Sequence, residues 1–198
     1  MPVLPYHVSM LLFVIGPSAS GKGTQANLLA DKYKIPHLSV GELLRKEIEK
    51  GTELGKLIDP IIREGKFVPG HATTHVLNEA IEEAFKTNHG CIIDGFPRLY
   101  DQALQIQSLV DRHTDGFKVI HYRLSVEECI RRQKEREANG GKRTDDAMLA
   151  QRLKSYEEDI EQILEYYRDI DALIEVDASP GVEEIFEDTC RRLTDSFR

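Results

Sequence analysis

The sequence predicts an α/β fold: a five-stranded parallel sheet with helices on both faces. Three observations predict it. Short, continuous apolar runs recur along the 198 residues, as in strands covered on both sides. Stretches of helical period separate them, the alternation expected of βαβ units. The first apolar run also breaks directly into a glycine-rich turn that leads into a helical pattern, an arrangement in which backbone amides can curl round an anion.

Strands are expected at Met10–Ile15, 36–40, 91–94, 119–124 and Leu173–Asp177. Between the first two, residues 22–34 carry a helical pattern. Val76, Leu77, Ala80, Ile81, Ala84 and Phe85 recur at three- and four-residue spacing and mark the buried face of another helix. A long amphipathic helix is expected between 147 and 171, and Val182, Ile185, Phe186 and Leu193 mark a last one. Two segments fit this core poorly. Residues 41–68 are helical and charged, interrupted by Gly51, Gly55 and Gly65, and add no strand; residues 137–146 are polar and contain Asn139-Gly140-Gly141, a loop composition. One domain, 1–198, is therefore expected, its core formed by 8–40, 69–136 and 147–195, with mobile covers at 41–68 and 137–146.

Composition narrows the function. An apolar fraction of 40% supplies a core, and a net charge of −8 speaks against a general nucleic-acid surface. Cys91, Cys129 and Cys190 lie far apart without a CxxC pair, so they read as reduced, mostly buried thiols and not as zinc ligands. No apolar run is long enough to span a bilayer, and the first ten residues lack a basic n-region and a cleavage site. No membrane association and a cytoplasmic location are expected.

The chemistry is concentrated in three places. Gly16-Pro17-Ser18-Ala19-Ser20-Gly21-Lys22-Gly23-Thr24 is a phosphate-binding P-loop in its required setting between strand and helix. Its glycines permit a tight turn and close approach, the following helix adds a positive N-terminal dipole, and Lys22 supplies a mobile charge for the outer phosphates. Second, the strand at 91–94 ends in Asp94-Gly95-Phe96-Pro97-Arg98, so a carboxylate emerges at the sheet edge where ligands bind and the turn sets a planar guanidinium over the same edge. Third, Arg132 and Arg136 share a helix face, Arg143 sits in the polar loop before Asp145-Asp146, and Arg152 begins the return helix. Such a series is either a solvated face of ordinary pairs or a set of phosphate ligands, and its place beside a loop able to close favours the latter. His37, His71, His75, His89, His113 and His121 show neither metal-ligand spacing nor pairing with a nucleophile and read as surface or packing residues. Tyr166-Tyr167 is expected to pack the long helix on the core, and Arg123 has no explanation from sequence.

Together these residues closely resemble the adenylate kinase family of nucleoside monophosphate kinases, over nearly the whole chain. Gly16–Thr24 looks like its P-loop, Leu38-Ser39-Val40-Gly41-Glu42-Leu43-Leu44-Arg45 like the start of its monophosphate-binding excursion, and Asp-Gly-Phe-Pro-Arg with Gln102 four residues beyond matches its most specific signature. The short loop before Arg143-Thr144-Asp145-Asp146 resembles the zinc-free lid of short-lid members. The resemblance implies a P-loop NTPase-type sheet and reversible transfer of the γ-phosphoryl group of ATP to a nucleoside monophosphate, with Mg²⁺ as cofactor and a monomeric enzyme. Residue by residue, it implies ATP binding by Ser18, Ala19, Ser20, Gly21, Lys22, Gly23, Thr24, Arg132, Arg136 and Pro180. It implies AMP binding by Ser39, Val40, Arg45, Lys66, Phe67, Val68, Gly95, Phe96, Pro97, Arg98, Gln102, Arg143 and Arg152. Lys22, Arg98, Arg132, Arg143 and Arg152 would serve catalysis, and Asp94 would act on Mg²⁺ through water. Phosphoryl transfer asks mainly for in-line positioning, neutralised charge and excluded water, and a ring of arginines under a closing cover meets those needs.

The chain departs from the family pattern at a few points. Val40 stands where Thr is usual, which keeps the shape but removes a hydroxyl at the base edge. Gln102 still points to adenine, so AMP is the expected acceptor, with UMP or CMP as the alternative and a non-catalytic nucleotide-binding module as the more distant one. Ser18 and Ala19 replace the usual Pro-Gly, Gly23 takes the usual Ser/Thr position, two residues are missing between Asp146 and Arg152, and the lid loop is one residue longer.

Overall fold

Met10–Ile15 forms β1, the central strand, and all six of its side chains are buried. The computed structural model describes residues 10–114, 116–141 and 146–196. Four further strands, β2 (His37–Ser39), β3 (Gly90–Asp94), β4 (Phe117–Arg123) and β5 (Leu173–Asp177), join it in one parallel sheet of order β2-β3-β1-β4-β5. Eight helices accompany them among the described residues: α1 (Lys22–Tyr33), α2 (Val40–Glu49), α3 (Glu53–Arg63), α4 (Gly70–Thr87), α5 (Tyr100–Val110), α6 (Val126–Ala138), α7 (Leu149–Asp169) and α8 (Val182–Ser196). The expected α/β class and five parallel strands are as read from the sequence.

Alternation along β1 divides the core in two, because successive side chains point to opposite faces. Leu11, Phe13 and Ile15 pack with Cys91, Ile93 and Val119 under Leu77 and Ile81 of α4, Ile106 and Leu109 of α5, and Ile163 and Tyr167 of α7. Met10, Leu12 and Val14 pack with Ile92, Ile120 and Val176 under Ala26 and Leu29 of α1 and Ile185 and Leu193 of α8. Phe13 is fully buried and meets Phe117 edge-on at 5.7 Å and Phe96 at 6.3 Å. Removing such a ring costs about 3–5 kcal/mol, and here it would also loosen the turn that carries Arg98.

The register aligns the C-terminal ends of the strands. Val14 and Ser39 both lie opposite Asp94, and Ile15 lies opposite His121. The chain order reverses on either side of β1, so the crevice beyond its end is the switch point at which open α/β sheets bind ligands.

Several bounds differ from the expectation. The second strand stops at Ser39, and Val40 instead opens α2. β4 starts earlier, at Phe117. Lys34 caps α1 in the left-handed region at φ 57° and is not part of it. Helix α5 went unread, although Ala103, Ile106, Leu109 and Val110 give it a buried face of helical spacing; Tyr167 ties α7 to it by donating to the Ala103 carbonyl at 3.1 Å.

The excursion at 41–68 is a pair of helices whose backbones touch. Thr52 caps α3 by accepting from the Gly55 amide at 2.9 Å and donates to Glu47 Oε2 at 2.9 Å. A β-carbon on Gly55 would run into the Glu47 carbonyl. Residues 142–145, and with them Arg143, Thr144 and Asp145, lie outside the described residues.

Candidate active site

At the end of β1 the chain must turn into α1 without a side-chain cap, and the P-loop does so through three unusual torsions: Gly16 at φ 151°, Ala19 at 68° and Gly21 at 86°. A β-carbon on Gly16 would lie 2.6 Å from the Tyr122 carbonyl, so no larger residue fits there. Ala19 tolerates the left-handed region, which costs a non-glycine residue about 1–2 kcal/mol, while its methyl packs beside Cys129, Leu149 and Leu153. The first amides of α1 are left open toward the cleft, an anion-binding arrangement. Lys22 lies over the loop, its Nζ donating to the Pro17 carbonyl at 3.2 Å.

The loop forms one wall of a cleft of about 730 Å³, which is within the range of small-molecule sites. Ser18, Ala19, Gly21, Lys22, Gly23 and Thr24 line it on one side. Ser39, Val40 and Arg45 line it from the β2–α2 junction, and Lys66, Phe67 and Val68 from the end of the excursion. Asp94, Gly95, Arg98 and Gln102 form the floor, with Arg132 and Arg136 of α6 and Arg152 of α7 completing the rim. Among the described residues, seven cations (Lys22, Arg45, Lys66, Arg98, Arg132, Arg136 and Arg152) thus face one cavity together with two carboxylates, Glu42 and Asp94. In a chain of net charge −8, that reversal marks a site for a polyanion.

Local contacts fix several of these groups. Gly95, at φ 83°, turns the chain so that its carbonyl accepts Arg98 Nε–H at 2.8 Å, and the Arg98 guanidinium lies 5.2 Å from the Phe67 ring centre. The Gln102 amide joins two loops: its oxygen accepts from the Arg98 amide at 2.7 Å and its nitrogen donates to the Val68 carbonyl at 2.8 Å. Each end of that amide keeps one further donor or acceptor position. Arg132 is clamped. It donates to Glu128 at 3.0 Å, to the Ser20 carbonyl at 3.3 Å and to the Ala178 carbonyl at 2.7 Å, so it joins the P-loop to the loop after β5. Hydrogen bonds from Arg131, and then Arg132, pull the Glu128 carboxyl down to about 2. Arg136 donates to the Gly141 carbonyl at 3.1 Å.

Asp94 is the buried carboxylate of the site. Burial alone would raise its pKa, but His37, Lys22 and Arg98 together bring it below the usual carboxylate value. His37 Nε2 faces its Oδ2 at 3.7 Å, while His37 Nδ1 bonds to Asn27 at 2.7 Å. Its other oxygen, Oδ1, is buried without a hydrogen-bond partner among the described residues. A β-carbon on Gly23 would sit 3.3 Å from Asp94 Oδ2, so the P-loop backbone passes directly beside the carboxylate. A hard, anionic oxygen with an open acceptor position, next to a phosphate cradle, suits Mg²⁺.

Not every expected residue faces the cleft. Ser20 and Phe96 are buried behind it, Pro97 borders a smaller cavity beneath it, and Pro180 is exposed in the loop after β5, next to the carbonyls held by Arg132. Of the other lining residues, Asn27, Thr73 and Leu149 went unread, Glu42 and Leu44 were read only as part of the excursion's motif, and His37 was read as surface or packing. For His37 a signal existed, since it opens the strand that ends beside Asp94.

Known proteins point the same way. A sequence profile of the family described as adenylate kinase matches residues 14–172. The chain is 35% identical to an adenylate kinase of Azobacteroides pseudotrichonymphae, over 93% of this chain and 97% of that one. It is 36% identical to one of Corynebacterium urealyticum over 91% and 97% of the two chains. Against one of Mycobacterium tuberculosis the identity is 37%, over 93% and 99%. The cation-lined cleft, the P-loop sheet and these likenesses agree: the chain belongs to the adenylate kinase family, nucleoside monophosphate kinases that pass a phosphoryl group between ATP and AMP.

Proposed function

We propose that this enzyme holds ATP on the P-loop side of the cleft and AMP on the side of the 41–68 excursion, and transfers the γ-phosphoryl group between them. The observation that carries this reading is the seven cations, Lys22 among them, that line one cleft. The amides of Gly21–Thr24 and Lys22 cradle the donor phosphates. Arg45 and Arg98 hold the acceptor phosphate, and Arg132, Arg152 and Arg143 neutralise the charge that spreads in the transition state. Arg136 borders ATP, and the loop around Pro180 flanks its base. Ser39, Val40 and the 66–68 backbone line the acceptor sugar and base, which Gln102 reaches through its remaining donor and acceptor positions.

Asp94 would hold Mg²⁺ through water, and the ion would neutralise the β- and γ-phosphate oxygens of ATP. In-line transfer needs no protein nucleophile. What the chain contributes is alignment and exclusion of water, for which residues 41–68 and 137–146 close over the bound pair. Three cysteines without a disulfide support work in a reducing, cytoplasmic setting. No described helix is long and apolar enough to cross a membrane, and the enzyme acts as a monomer.

A coupled assay with ATP and each of AMP, UMP, CMP, GMP and dTMP tests this reading. Preferential turnover of AMP, abolished by chelating Mg²⁺, is expected; turnover of a pyrimidine nucleotide alone, or of none, overturns it.

A further inference from the structure

Beneath the cleft runs a buried polar chain that none of the phosphate contacts explains. In β4, His121 lies between Ile15 of β1 and Glu175 of β5, on the sheet face covered by α7. Its side chain is 7% exposed. Nε2 lies 2.6 Å from the Tyr156 hydroxyl of α7, and Nδ1 lies 3.7 Å from Glu175 Oε1 with no hydrogen-bond partner among the described residues.

A neutral imidazole satisfies these neighbours in one way. The proton sits on Nδ1, toward the carboxylate, and Nε2 accepts from the Tyr156 O–H; the other tautomer would aim a lone pair at Glu175. The charged ring is disfavoured chiefly by burial, which outweighs the pull of Glu175, and Arg123 and Arg168 add to it. Tyr156 in turn borders a cavity of about 10 Å³, space for one water, together with Lys22, Gly95, Arg98 and Arg152. Tyr156 and Arg152 are four apart on α7 and so share one face of it.

We propose that His121 is a positioning residue for phosphoryl transfer: by accepting a hydrogen bond from the Tyr156 hydroxyl it fixes the rotation of α7 on the sheet, and with it the point at which Arg152 enters the cleft beside Arg98. The inference rests on the role given above to Arg152. Its leverage comes from the reaction's sensitivity to alignment, where a displacement of about 1 Å costs on the order of a hundredfold.

Single-turnover transfer rates, with KM for ATP and AMP measured separately, test it on Tyr156→Phe, His121→Leu, the double variant and His121→Gln, all well below their melting temperatures. Tyr156→Phe and His121→Leu should each slow transfer about tenfold with both KM values within about twofold, as expected when only alignment is lost. The double variant should be no slower than the slower single one, and the glutamine, which keeps an acceptor, should recover most of the rate. A folded Tyr156→Phe with the wild-type transfer rate overturns the proposal, as do losses that multiply in the double variant. Arg152→Ala is run beside them. If it keeps the full rate, the role of Arg152 falls; if it collapses while Tyr156→Phe does not, only the part given to His121 falls.

Discussion

At the scale of single residues the site is defined by where charge converges. On the roles proposed for them, Lys22→Met or Arg98→Ala would remove one donor to the transferring group, for which a loss of about 10²–10³ in kcat is expected; circular dichroism should show the fold unchanged, because both side chains line the cleft and not the core. In the proposed arrangement Val40, which lines the cleft, would offer the acceptor base only methyl groups. Restoring a hydroxyl with Val40→Thr should raise the preference for AMP over UMP several-fold in kcat/KM, as a well-placed hydrogen bond adds about 1 kcal/mol. His121 gives a pH signature. Its buried ring titrates at about 4, against 6.5 for the free side chain, so the unfolded chain takes up the proton first as pH falls. Stability should therefore rise with pH between about 4 and 6.5 and level off above, and His121→Leu should flatten that slope in urea unfolding. The P-loop and Asp94–Arg98 were legible from sequence because their backbone turns demand particular residue types within a few positions. Arg132 and Arg152 were legible as a series beside a polar loop, whereas Arg45 was legible only through resemblance, since an arginine on a helix is ordinary until the fold shows what it faces. Asn27 was not legible at all, for the same reason, and His37 was read as surface or packing although its strand ends beside Asp94.

Among the elements, β1 shows why the strands were easy to read and their ends were not. An unbroken apolar run records burial on two faces, but the end of β2 depends on Val40 being taken into α2, a tertiary choice. Helix α5 was hidden because a polar residue, Gln102, sits on its buried face while Leu104 is exposed. The P-loop is the element most intolerant of change. Gly16→Ala should destabilise by about 1–3 kcal/mol through overpacking, with the β-carbon forced to within 2.6 Å of the Tyr122 carbonyl; a fall in the urea midpoint at unchanged slope is the check. Gly55→Ala should act differently. Its methyl would part α2 from α3, raising KM for AMP far more than for ATP while β1 and its neighbours keep their stability.

Across the whole molecule, the sheet gathers at one rim side chains that are scattered along the sequence from Lys22 to Arg152, so neither half of the chain carries a site of its own. A monomer of this length should show a radius of gyration of about 16 Å in small-angle scattering, and a dinucleotide joining the two substrates should reduce it. No change on adding that inhibitor would mean that residues 41–68 and 137–146 do not move. The backbone contact between Glu47 and Gly55 decides what kind of movement the first of them can make. With its two helices in backbone contact, that arm should swing as a jaw does, rigid along its length and bending only at its roots near Ser39 and Val68. A crosslink at either root should then arrest the bite, whereas one between the two helices should leave it working.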